Sequence, residues 1–98
     1  MMHMPATEVP AVLLVEDDPS QSLLFERCLS RRNLQVTVSN NGADGARLAA
    51  RDEFAIVVTD MMLPEVSGLE VIGRSKQLYP WRPALLMSAH QKIGRAHV

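Results

Sequence analysis

The sequence predicts an α/β protein built on an open, doubly wound parallel sheet of strand order 2-1-3-4, and three observations carry that prediction. Ala11–Val15 (AVLLV), Ala55–Val58 (AIVV) and Ala84–Met87 (ALLM) contain no polar position, so they read as short strands buried on both faces. Helical patterns separate them, which requires parallel strands joined by right-handed crossovers. Gln35–Val38 (QVTV) alternates instead, so this second strand belongs at an edge, outside the first.

Met1–Pro10 holds two prolines and no periodicity, and reads as a disordered lead-in to the first strand. Asp18-Pro19 then opens a helix, with Asp18 as N-cap, Pro19 at the first helical position and Gln21 at the capping-box position. Leu24, Phe25, Cys28 and Leu29 form its expected buried stripe, while Arg27, Arg31 and Arg32 face water near its C-terminal end. Asn40-Asn41-Gly42 is a turn after the second strand, and Ala43–Arg51 a small-residue helix with Asp44 in its first turn. After the third strand, Pro64 delays helix formation and Ser67-Gly68 marks the next start. That helix runs over Gly68–Leu78, with Leu69, Ile72 and Tyr79 expected inward, and Pro80 ends it.

The bulk numbers exclude several classes. A chain of 98 residues makes one domain at most. A net charge of −1 gives no electrostatic case for nucleic acid or an anionic membrane. Cys28 stands alone, so no disulfide framework or thiol metal site is expected, and a small buried thiol is its expected state. The apolar runs are too short to span a membrane, and the N-terminus lacks a basic n-region and an apolar h-region, so a cytoplasmic protein is expected.

In an open doubly wound sheet, ligands bind beyond the carboxyl ends of the strands where the order reverses, here between the first and third strands. Those ends carry Glu16-Asp17 and Asp60. Capping accounts for Asp18, but an ordinary turn has no need of two further acids. Three carboxylates in one small site repel each other and need a cation. Oxygen-only ligands favour a hard ion, and few protein ligands with waters suit Mg2+ better than Ca2+. Asp60 therefore reads as a nucleophilic carboxylate that takes a phosphoryl group.

VLLVEDDPSQSLLFERCL, NNGADGARLAA, AIVVTDMMLPEVSGLEVI and PALLMSA together span almost everything from Val12 to Ala89, and in this order they resemble the receiver domains of two-component response regulators. The resemblance implies a flavodoxin-like, CheY-like fold. It makes Asp60 the phosphoacceptor, Glu16 and Asp17 the acidic pair holding Mg2+, and the Met62 carbonyl the third protein ligand. Ser88 matches the hydroxyl residue that swings to the phosphoryl group, and Pro64 and Gly68 match the loop after the acceptor. The implied donor is a phosphohistidine on a sensor histidine kinase or phosphotransfer protein, and an effector domain can follow. Met62 and His90 would flank the phosphoryl group and tune its lifetime. An apolar Met62 cannot orient an attacking water, so slow self-hydrolysis is expected; His90 is otherwise an ordinary loop residue.

The sequence departs from the family at its end. The family's fifth strand and last helices are expected to be missing, and with them the lysine that grips the phosphoryl group. Lys92 lies too soon after Ser88 for a strand to intervene. Lys-Ile-Gly-Arg-Ala-His-Val is what one frame of a common sequencing adapter encodes, so residues 92–98 are expected to be a non-native tail behind a partial domain over residues 11–91. Such a chain is expected to fold poorly and to resist phosphorylation. Two rival readings stand beside this one. The first is a phosphorylation-independent receiver-like interaction module, which the missing lysine favours. The second is an aspartyl-phosphate phosphatase, which the absence of a second acid in Asp60-Met61-Met62 disfavours. No glycine fingerprint for a dinucleotide follows the first strand.

Overall fold

The computed structural model describes residues 9–88. The lead-in before Val9, His90 and the tail from Lys92 lie outside the described residues. The elements are β1 (Ala11–Val15), α1 (Pro19–Ser30), β2 (Gln35–Ser39), α2 (Gly42–Ala49), β3 (Ile56–Asp60), α3 (Gly68–Leu78) and β4 (Ala84–Met87). They form one sheet in the order β2-β1-β3-β4, with every neighbouring pair parallel.

Successive residues of a strand point to opposite faces, and β1 uses both. Leu13 and Val15 join Leu48 and Ala49 of α2, Val57 of β3 and Val71 of α3 on one face. Val12 and Leu14 join Val58 on the other, against Phe25 and Leu29 of α1. The four β1 positions Val12–Val15 are fully buried, and each contributes about 1.5–3 kcal/mol by leaving water. Double coverage of β1 is what holds its carboxyl end still.

The helix starts follow the sequence closely. Asp18 accepts from the Ser20 and Gln21 amides, and Asn41 caps α2 by accepting from the Asp44 amide at 2.7 Å. Ser67 and Glu70 of α3 complete a reciprocal capping box, a signal that Ser-x-x-Glu spacing carries.

The packing corrects several expectations. Leu24 is 56% exposed and Cys28 is exposed too, because α1 meets the sheet along Ser22, Phe25 and Leu29. A helix touches a sheet along one line, and the Leu24–Cys28 flank turns away from it. On α3, Leu69 is 62% exposed while Val71 and Ser75 are buried. Ile72 and Tyr79 are half-buried as expected, but the small residues Gly68 and Ser75 share the close face with Val71, and Leu69 turns away from it. The third strand starts at Ile56 and ends at Asp60, so Asp60 is the last strand residue rather than one beyond it. β4 is not dry on both faces: Leu85 and Leu86 are exposed, since among the described residues only β3 pairs with it.

Candidate functional site

Backbone register assembles the site. Val15 faces Thr59 across the β1–β3 ladder, so the next residues, Glu16 and Asp60, emerge side by side. The Glu16 amide extends the other ladder by donating to the Ser39 carbonyl at 2.9 Å. Asp60 pairs with Met87 across β3–β4, which sets Ser88, half-buried, one residue beyond that rung. The sequence thus brings residues from three strand ends to one place. Glu16, Asp17 and Asp60 each offer a carboxylate oxygen, and these oxygens lie within 4.8 Å of one another.

The acids differ in their surroundings. Glu16 and Asp60 are each 1% exposed, whereas Asp17 faces solvent. One oxygen of Asp60, Oδ1, accepts from the Met62 amide at 3.1 Å. Glu16 Oε2 accepts from the Asp18 amide at 3.2 Å, but its Oε1 is buried and receives no hydrogen bond from the described residues. Burial pushes the Glu16 carboxyl up to about 7; the neighbouring Asp60 and Asp17 carboxylates add to the rise, against the Asp18 amide. A buried carboxylate oxygen short of a donor needs either a proton or a cation. The donor set is oxygen only, which fits a hard divalent ion, and the orphaned Oε1 is an atom such an ion would satisfy.

The loop after Asp60 is held tightly. The Gly68 amide donates to the Met61 carbonyl at 3.2 Å and the Val66 amide to the Pro64 carbonyl at 2.7 Å. A Cβ on Gly68 would lie 2.2 Å from the Asp60 carbonyl oxygen, so only glycine lets α3 begin against the Asp60 backbone. Glu65 sits at φ 67°, a left-handed conformation that costs a non-glycine residue energy. The Thr59 hydroxyl, fully buried, donates to the Asp60 carbonyl at 3.0 Å. The Met62 side chain is exposed.

Among the described residues the one lysine, Lys76, donates to the Arg82 carbonyl at 2.6 Å, in the connection that leads into β4 and so away from the strand ends that carry the acids. Arg82 is buried beneath the C-terminal end of α2. No local pattern signals it, because the two carbonyls its guanidinium reaches lie 31 and 33 residues away.

A family model described as response regulator receiver domain matches residues 12–97. The chain is similar to the transcriptional regulatory protein GlrR of Escherichia coli, 29% identical over 96 residues that cover 98% of this chain and 21% of GlrR. It is also similar to the transcriptional activator protein PfeR of Pseudomonas aeruginosa, 39% identical over 80 residues covering 82% and 26% of the two chains. The chain therefore spans about a fifth to a quarter of these relatives. Among solved structures it resembles the receiver domain of a Pseudomonas aeruginosa sensor histidine kinase, whose crystal holds a magnesium ion coordinated in the active site cleft. That match has a TM-score of 0.78 at 24% identity, covering 89% and 73% of the two chains. Chemotaxis protein CheY4 of Vibrio cholerae gives a TM-score of 0.73 at 21% identity, covering 87% and 76%. At these identities the structural likeness is one of fold.

Proposed function

The chain belongs to the response regulator receiver domain family, and from that premise we propose that Asp60 accepts a phosphoryl group from a phosphohistidine of a sensor kinase or phosphotransfer protein. The observation that carries this reading is the meeting of Glu16, Asp17 and Asp60 beside a buried oxygen that lacks a donor. An Asp60 carboxylate oxygen attacks phosphorus, the phosphorus–nitrogen bond breaks, and the bonding pair leaves with the imidazole. Glu16 and Asp17, with Asp60 and the Met62 carbonyl, would hold Mg2+. When bound, the ion would offset the negative charge of the phosphoryl oxygens during transfer.

The Met62 amide orients Asp60 Oδ1, and the closed Met61–Ser67 loop keeps that amide in place. Ser88, one residue past the Asp60 rung, would donate its hydroxyl to the new phosphoryl oxygens and draw its loop inward. Transfer happens once per molecule, so this is a switch and not a turnover enzyme. An exposed, apolar Met62 cannot orient a hydrolytic water, so the phosphorylated state would be long-lived; decay that fails to quicken in Met62→Asn argues against this. The proposed setting is the cytoplasm, and no helix among the described residues is long and apolar enough to cross a membrane. A DNA-binding or other effector module would carry the output.

Labelling of a complete domain with a small phosphodonor tests the acceptor. Incorporation that disappears in Asp60→Asn supports it, and incorporation that persists in that variant points to another residue. One observation favours a second reading, an interaction module that works without phosphorylation: the only described lysine is engaged elsewhere. Binding of a partner that is indifferent to both Asp60→Asn and phosphodonor would select that reading.

A further inference from the structure

Gly42 begins α2, yet its nearest neighbour is the loop that follows the acceptor. A Cβ built on Gly42 would meet the Val66 carbonyl oxygen at 2.0 Å and the carbonyl carbon at 2.8 Å. Both atoms are backbone, so no rotamer change relieves the contact. The loop has little freedom to retreat. Its Val66 amide is committed to Pro64 and its last residue to α3 through the Gly68–Met61 bond, while Glu65 already holds a left-handed conformation. Met61–Ser67 is thus seated between the first residues of two helices, Gly42 on one side and Gly68 on the other.

We propose that Gly42, which is not one of the three acids, is a positioning residue for the acceptor site: the space it leaves seats Val66 and so lets the loop close until the Met62 amide reaches Asp60. The proposal rests on the reading of Glu16, Asp17 and Asp60 as a Mg2+ site.

The test is a Mg2+ titration of the 98-residue chain and its variants, followed by backbone amide resonances, with a denaturant melt to confirm folding. Residues that orient metal ligands from outside typically change affinity about 10–100-fold. Gly42→Ala should therefore weaken Mg2+ binding about tenfold and move the Met62 and Gly68 amide resonances in the metal-free state. Gly73→Ala, a helical glycine with open space around it, should leave affinity and both resonances unchanged. A purely structural role would lower stability alone, and unchanged Mg2+ affinity in folded Gly42→Ala overturns the proposal. If Gly42→Ala does not fold, Asn41→Ala replaces it, because loss of the cap frays the first turn of α2 without adding bulk. Weakened binding with a displaced Met62 amide then supports the proposal, and unchanged binding overturns it. Asp60→Asn separates the two levels: should it bind Mg2+ like the wild type, the site reading itself fails.

Discussion

The two ends of the sheet bury charge in opposite ways. Where β4 begins, Arg82 is 3% exposed and well supplied with partners. Its guanidinium donates to the Ala49 carbonyl at 2.9 Å and the Ser75 hydroxyl at 3.2 Å, and to the Arg51 carbonyl. It also lies 4.1 Å from the centre of the Tyr79 ring. The Tyr79 hydroxyl donates to the Ala50 carbonyl at 3.0 Å, so side chains near β4 satisfy the last carbonyls of α2, where the helix dipole favours a cation. At the carboxyl end, Glu16 is buried as deeply, yet one of its oxygens lacks a donor and its neighbours carry the same charge. A buried charge with partners is architecture; a buried charge left short, among like charges, marks a place where something else binds.

The largest expected effect tests the architectural end. Arg82→Met removes the donors that serve α2 and should cost about 3 kcal/mol, since each buried acceptor stripped of its donor costs about 1–3 kcal/mol. A denaturant melt reads that loss, and Mg2+ affinity of the folded protein should stay as it was. An Arg82→Met protein of unchanged stability would erase the contrast between the two ends.

A smaller effect sharpens the other end. In the unfolded chain Glu16 releases its proton near 4.5, while the folded protein keeps it to about 7. The native state therefore binds more protons across that interval, and metal-free stability should fall as pH rises through it. Glu16→Gln should flatten that part of the profile and be at least as stable as wild type at pH 8 without metal. A wild-type profile already flat between these values would contradict the assigned strain.

The smallest effect comes from an acid at the same end that does have partners. Asp44 receives a bond from Arg47 and one from the Ser39 hydroxyl at 2.9 Å, and these, the Arg47 bond first, hold its carboxyl below its ordinary 3.8. Its contribution is present above that value and lost as pH falls through the lowered one, the opposite sign to Glu16. Asp44 is partly exposed, so Asp44→Asn should cost only about 0.5 kcal/mol near neutral pH. A gain in stability there would mean that these bonds do not stabilise the fold.

Much of this was legible in the chain. The uninterrupted apolar runs before Glu16 and before Asp60 are imposed by double burial, and the alternation of Gln35–Val38 by an edge, so strand order and the meeting of the acids followed. Less legible was what depends on small or distant residues. Gly68 and Ser75 set the face of α3 through lack of bulk, which a search for apolar spacing does not register. Leu24 and Cys28 share the spacing of Phe25 and Leu29 but sit on the flank that turns from the sheet. Arg82 finds carbonyls about 30 residues away, and Gly42 meets Val66 only once both loops are closed.

The most direct test is a Mg2+ titration of the wild-type chain beside Asp60→Asn, read by backbone amide resonances. We predict saturable one-to-one binding in the wild type, with changes centred on Glu16, Asp17, Asp60 and Met62, and loss of that binding in Asp60→Asn. Trp81, set with Phe54 and Pro83 where β3 and β4 begin, should not respond. Saturable binding that survives in Asp60→Asn, or its absence from the folded wild type, would contradict the account.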